Sequence, residues 1–303
     1  MFKTTIAALI MATALAIATS AFAIPFSSQS ALVIEENTGK ILLEKNPGKI
    51  VSIASLTKLM TAMVVLDAKL DMDQPISIAQ SDVDMLKHSS SRVPVGVTLS
   101  RRELMHLALM SSDNRAAAAL ARTFPGGNVG FIKAMQDKLS SLGMTQTVIE
   151  EPTGLSPRNT STATDMIKMA VAAGRYPDIA QASTEQQDKF NINGRDVAYR
   201  NTNHFIGQKG WDILLSKTGY TMEAGRCIVM RVKAAGKNVV MVLLNANASS
   251  ARTVDAVRVQ RFLGGDVSEP RVAMVAQSRR AKQLTAKRRG ARHHGRVVQV
   301  AGL

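Results

Sequence analysis

Residues 213–244 read ILLSKTGYTMEAGRCIVMRVKAAGKNVVMVLL, and they decide the architecture. Ile213 to Lys217, Arg226 to Val232 and Val239 to Leu244 are apolar runs too short for helices and rich in Ile, Val and Leu. They read as strands, with Ala235-Gly236-Lys237 turning the last two. Just before them, Phe190 to Tyr199 reads as a hairpin about Asn193-Gly194. Just after them, Val254 to Leu263 reads as a closing helix. At the other end of the chain, Ala31 to Ile34 and Lys40 to Leu43 flank Asn37-Thr38-Gly39 as a second hairpin, which Asn46-Pro47-Gly48 ends.

The middle changes period. Leu56, Leu59, Met60, Met63 and Val64 recur at helical spacing, so a helix begins at or just before Ser55. Residues 74–98 are loop-like. Ser100 and Glu103 form a capping box for a helix through Leu109, and an Ala-rich helix resumes over 116–121. Pro125-Gly126-Gly127 breaks it. Phe131 to Leu142 and Ser161 to Ala173 read as further helices, with Glu151-Pro152-Thr153-Gly154 as a turn between them. The expectation is an α+β fold in which an antiparallel sheet drawn from both chain ends is covered by helices.

The chain has 303 residues, 46% of them hydrophobic, and a formal charge of +15. Nine of the basic residues fall between Arg271 and Arg296 with no acid among them, so the body carries only a modest excess. Aromatics, at 4%, are too few for base-stacking, and no nucleic-acid motif is present. Residues 1–23 read as a cleavable signal peptide: Lys3, an apolar stretch from Thr5 to Ser20, then Ala21-Phe22-Ala23. That places residues 24–265, the folded domain, outside the cytoplasm, in the periplasm. Residues 266–303 read as a basic, disordered tail able to touch anionic envelope polymers by charge alone. The lone Cys227 sits in an apolar run and reads as a buried strand residue. His293-His294 has no third ligand in view, so no metal and no cofactor is assigned.

Three short motifs carry chemistry. In Ser55-Leu56-Thr57-Lys58 the first and last residues share a helix face. Lys58 can serve as base to Ser55 only if burial or a nearby cation lowers its pKa. A serine at a helix start also has backbone N–H groups directed at whatever it attacks. Ser112-Asp113-Asn114 interrupts two apolar stretches. Its residues are good helix caps; read functionally, Ser112 passes a proton and Asn114 holds a substrate carbonyl. Lys217-Thr218-Gly219 ends an apolar strand, where an incoming peptide can pair with the edge, Lys217 and Thr218 face its carboxylate and Gly219 admits it to the backbone.

The ordered triple S-x-x-K, S-D-N, K-T-G belongs to the serine penicillin-recognising enzymes. With Glu151 to Ser156, Ser161-Thr162-Ala163, Tyr220 and Glu223-Ala224-Gly225-Arg226-Cys227, the sequence from Ser28 to Leu263 resembles the low-molecular-mass penicillin-binding proteins, in particular their D-alanyl-D-alanine endopeptidase branch. The resemblance implies a β-lactamase/transpeptidase-like fold and an acyl-enzyme on Ser55 with Lys58 as base. It places Ser112 and Asn114 opposite Lys217, and makes the oxyanion hole from the N–H groups of Ser55 and Tyr220. It makes peptidoglycan stems the substrate and β-lactams acylating inhibitors. Arg252 is a candidate carboxylate holder or simply a surface arginine. Glu151 is followed by Leu155-Ser156 where a β-lactamase has Leu-Asn, which argues against a deacylating base. The sequence after Leu263 lacks the second β-domain and amphipathic anchor usual in carboxypeptidases, which favours the endopeptidase branch and with it cleavage of the D-alanyl–diaminopimelyl cross-bridge. Terminal D-Ala carboxypeptidase is the runner-up, and a catalytically silent wall-binding protein is the reading from another class.

Overall fold

The computed structural model describes residues 25–265. The expected signal peptide and basic tail lie outside these residues. The elements, in chain order, are β1 (Ser30–Glu35), β2 (Ile41–Lys45), β3 (Val51–Ser52), α1 (Lys58–Asp67), β4 (Pro75–Ser77), β5 (Thr98–Ser100), α2 (Arg101–Met110), α3 (Asn114–Arg122) and α4 (Gly127–Ser141). They continue with β6 (Thr160–Ser161), α5 (Ala163–Ala173), α6 (Pro177–Thr184), β7 (Gln187–Ile192), β8 (Arg195–Arg200), β9 (Asp212–Thr221), β10 (Gly225–Ala234), β11 (Lys237–Ala246) and α7 (Ser249–Leu263). By its contacts the chain divides after Arg258. Of the second unit, residues 259–263 complete α7.

Both chain ends build the main sheet. Its order is β2-β1-β11-β10-β9, every neighbour antiparallel, with Ser30 opposite Leu244 and Glu35 opposite Val239. Val239 to Leu244 is buried without alternation, because both faces of β11 are covered, and α5 packs on one of them. The two turn signals act as read. Ala235 and Gly236 have φ of 49° and 77°, as do Asn193 and Gly194 at 52° and 77°, the positive values that twisted two-residue hairpins need. Asp255 of α7 ties down the entering chain, accepting hydrogen bonds from the backbone N–H of Ser27 and Ser28 and from Ser28 Oγ.

Several boundaries differ from the sequence reading for local reasons. The α-helix starts at Lys58, and Ser55 lies in the 3-10 turn Ala54–Thr57 ahead of it. Ala54 has φ of 47°, which kinks the chain there. Helix α4 starts four residues early because Gly126, at φ 78°, turns the chain directly into it. Helix α5 starts at Ala163 because Ser161 pairs with Val51, and Thr162 Oγ1 caps it by accepting from Asp165 N–H. Helix α6 is absent from the reading altogether. Its eight residues, PDIAQAST, make only about two turns, and Pro177 and Asp178 in the first turn are the start signals that were available. The 100–103 capping box forms as read, with Ser100 Oγ accepting from Glu103 N–H and Glu103 accepting from Ser100 N–H.

Candidate active site

The turn holding Ser55 is fixed from both sides by glycines. A Cβ at Gly219 of β9 would lie 2.8 Å from Ile53 O and 3.2 Å from Ser55 N; a Cβ at Gly154 would lie 2.0 Å from Ala54 O and 2.7 Å from Ser55 N. Gly219 is therefore required by the protein's own close packing: strand β9 touches the backbone of the nucleophile turn. The sequence reading gave the position to ligand approach; packing against the nucleophile turn is a second demand on it. Leu56 and Leu59 are fully buried beneath the turn.

Lys58 is fully buried, and its Nζ lies 3.0 Å from Ser55 Oγ, 2.6 Å from Asn114 Oδ1 and 2.6 Å from Thr153 O. The last two partners are amide oxygens, which only accept. In the neutral amine they take both N–H groups and leave the lone pair facing the Ser55 hydroxyl. Burial pushes the Lys58 pKa down to about 8, against the raising influence of Glu151, Asp113 and Asp84. Acylation should therefore rise with pH as Lys58 loses its proton. The rate of β-lactam acylation is expected to increase roughly fiftyfold between pH 6 and pH 8 and to level off above about pH 9. A stopped-flow pH profile checks this, and a flat profile would contradict it.

The S-D-N motif forms the helix cap that one of its readings gave. Asp113 turns inward and caps α3, accepting from Ala116 N–H at 3.0 Å and from Ser91 Oγ at 2.7 Å. Ser112, at φ 60°, turns the other way, and its Oγ accepts from Lys217 Nζ at 2.8 Å. Lys217 also donates to Thr218 O at 3.0 Å. Burial holds its pKa well below the ordinary lysine range, and Lys58 and Arg252 push it further down. Thr218 Oγ1 shares a 2.6 Å hydrogen bond with Thr202 Oγ1. Tyr220 is half-exposed beside it. The structure thus gathers Ser55, Lys58 and Asn114, from the 3-10 turn, α1 and α3, into one hydrogen-bonded group, and Ser112 and Lys217, from a loop and β9, into a second.

Three participants were not found by sequence reasoning. Thr153 O reaches Lys58 because Glu151 shapes its turn, taking hydrogen bonds from the N–H groups of Thr153, Gly154 and Ser156 and from Thr153 Oγ1 and Asn159 Nδ2. Both Glu151 oxygens are thereby engaged inside the turn. Ser89 Oγ accepts from Asn114 Nδ2 at 2.7 Å and so fixes which end of that amide faces Lys58. Asp84 in turn holds the Ser89 loop through the N–H groups of Leu86, Lys87 and Ser89. A run of Ser and Asp in a loop was the only signal available for these.

Arg252, read as a site or surface residue, has its side chain largely buried. Nη1 donates to Cys227 O at 3.3 Å and Nε is buried without a partner. Cys227 is buried on β10, as read, and burial pushes its thiol up to about 11. Open cavities of about 400 Å3, beside Asn114, and about 440 Å3, beside Ser112, flank the S-D-N loop. Among the described residues His106, Glu185 and Asp188 cluster, but each imidazole nitrogen faces a different carboxylate at 3.5 Å, the arrangement of an imidazole between two acids. No helix among the described residues is long and apolar enough to cross a membrane.

A paired serine and buried lysine, with a second serine and lysine opposite, defines an acyl-transfer site of the active-site serine class. The model of the D-alanyl-D-alanine carboxypeptidase family, Peptidase S11, matches residues 17–248, and the chain belongs to that family. It is 47% identical over 239 residues to a D-alanyl-D-alanine endopeptidase of Pseudomonas aeruginosa, covering 78% of this chain and 77% of that protein. It is 41% identical over 275 residues to a D-alanyl-D-alanine endopeptidase of Escherichia coli, covering 89% of each. The Streptomyces K15 DD-transpeptidase superposes with a TM-score of 0.74 at 25% identity, over 80% of this chain and 98% of that one. The β-lactamase/transpeptidase-like fold expected from the sequence is the fold observed.

Proposed function

We propose that the protein is a periplasmic D-alanyl-D-alanine endopeptidase that opens peptidoglycan cross-bridges through an acyl-enzyme on Ser55. The observation that carries this reading is the Lys58 amine, whose two amide-oxygen partners leave its lone pair to Ser55 Oγ. Lys58 takes the Ser55 proton as Oγ bonds to the D-alanyl carbonyl carbon. The N–H groups of Ser55 and Tyr220 hold the oxyanion. The C–N bond then breaks, and Ser112, backed by Lys217, hands a proton to the departing amine. Ser112 regains its proton from Lys58, whose freed amine then deprotonates the water that hydrolyses the ester and passes that proton to the departing Ser55 Oγ. Asn114 and Thr218 position the peptide, and Arg252 holds the carboxylate next to the scissile bond. β-Lactams acylate the same serine.

Cleavage within a cross-bridge is favoured over terminal trimming by one comparison. The chain is 47% and 41% identical to relatives named endopeptidases and 28% identical to the Bacillus subtilis carboxypeptidase. The engaged oxygens of Glu151 support the reading that it is no deacylating base. Export rests on the Met1 to Ala23 pattern, and the basic stretch from Arg271 to Arg296 supplies charge for contact with anionic envelope polymers. The expected result is conversion of cross-linked muropeptide dimers to monomers, followed by mass spectrometry. Loss of a single D-Ala from pentapeptide monomers with dimers intact would make the protein a carboxypeptidase.

A further inference from the structure

Three segments far apart in the chain bring one imidazole and two carboxylates together, outside the groups built on Ser55 and Ser112. His106 lies on α2, Glu185 directly follows α6, and Asp188 is on β7. One ring nitrogen of His106 and one oxygen of each acid all lie within 4.8 Å of one another, the one such trio among the described residues. Each carboxylate stands 3.5 Å from an imidazole nitrogen, too long for an ordinary N–H···O hydrogen bond, and His106 Nε2 is buried without a hydrogen-bond partner. Two ligands held about 2.0–2.1 Å from a tetrahedral zinc ion are about 3.4 Å apart, so these spacings suit atoms that share an ion better than a donor and its acceptor. Phe190 meets the imidazole edge to face at 5.3 Å and fixes the plane of the ring. A cavity of about 100 Å3 opens beside His106, between Met105, Gln181 and Ala182, with room for water to complete the coordination. Arg102 also lines it, but Asp73 and Asp178 hold that guanidinium.

We propose that His106, Glu185 and Asp188 form a structural site for a divalent transition metal of the zinc class, one ring nitrogen and one oxygen from each acid holding the ion. Two carboxylates and a neutral imidazole balance a dication, and the imidazole selects zinc over calcium or magnesium, which take oxygen ligands. Asp188 stands opposite Tyr199 in the β7–β8 ladder, and Ala198, Tyr199 and Arg200 line the cavity beside Ser112. The ion therefore pins that hairpin to α2, whose last turn runs into the S-D-N loop. It touches no reacting atom, so its effect is on stability and not on the acylation of Ser55.

The test titrates zinc chloride into the full mature chain, freed of metal by a chelator, at pH 7.5 with calorimetry and thermal melts. One ion per chain should bind with a dissociation constant of about 1 μM or tighter, and saturating zinc should raise the melting temperature by roughly 5 °C. His106→Gln and the double variant Glu185→Gln/Asp188→Asn should each weaken binding at least tenfold and lose the melting shift. His293→Gln/His294→Gln, which removes the histidine pair near the C-terminus, should keep both. Cobalt(II) in place of zinc should give wild type the visible bands of a four- or five-coordinate site, a readout that needs no variant to fold. Acylation by fluorescent penicillin should stay within about twofold with and without zinc. Absence of saturable binding to wild type would overturn the site and leave an imidazole between two acids. Binding that disappears in His293→Gln/His294→Gln and persists in His106→Gln would also overturn it, by placing the ion on the other histidines.

Discussion

Lys58→Met is expected to slow acylation of Ser55 by about four orders of magnitude while the protein stays folded. The substitution keeps the length and apolar body of a side chain that is fully buried, and it removes a charge that burial disfavours. What it takes away is the lone pair aimed at Ser55 Oγ and the two N–H groups bound by Asn114 Oδ1 and Thr153 O. Those two oxygens are left without this donor, so a moderate fall in melting temperature should accompany the change. Acylation by a fluorescent penicillin, timed against wild type with circular dichroism as the folding control, measures it. A loss of less than about tenfold would mean that another group takes the Ser55 proton.

Gly154→Ala carries the second large effect, and it acts through the backbone. Gly154 has φ of 86°, and the added methyl would lie 2.0 Å from Ala54 O and 2.7 Å from Ser55 N. Both neighbours are main-chain atoms, so no rotamer change relieves the contact. Either the 151–156 turn retreats, taking Thr153 O away from Lys58, or the 53–55 turn retreats, moving the nucleophile. The expected penalty is about 3 kcal/mol, a fall in melting temperature of roughly 10 °C. Acylation should fall by about a hundredfold, because a displacement near 1 Å is enough to spoil attack geometry. Gly236→Ala is the matched control. Its φ is 77°, but nothing lies within 4 Å of the added methyl. It should lose about 1 kcal/mol through backbone strain alone and acylate normally. If Gly154→Ala behaved like Gly236→Ala, the clamp on the Ser55 turn would be refuted.

What could be read from the sequence was local. The Ser100–Glu103 capping box, the Asn193-Gly194 turn and the Ser55/Lys58 spacing each depend on residues three or fewer apart, and each forms as read. Long-range order was legible where it left a composition signal, as in the apolar runs that make β9, β10 and β11 and pair the last of them with β1. The supports outside the three motifs left none. Thr153 acts through a carbonyl that every residue possesses, 95 positions away, and Ser89 reads as loop filler until it is placed against Asn114. Gly219 illustrates the same limit: a glycine in a motif announces close approach but does not say whether ligand or protein approaches. The start of the helix was displaced by three residues because the kink at Ala54 is imposed by packing from Gly154 and Gly219, which no propensity at 54–58 encodes.

The central claim is that Ser55 is the residue acylated. Intact-mass analysis of the protein after exposure to benzylpenicillin, followed by peptide mapping, tests it most directly. The account predicts a single penicilloyl adduct on the peptide containing Ser55, absent from Ser55→Ala. An adduct on Ser112 or elsewhere, or one that persists in Ser55→Ala, would contradict it.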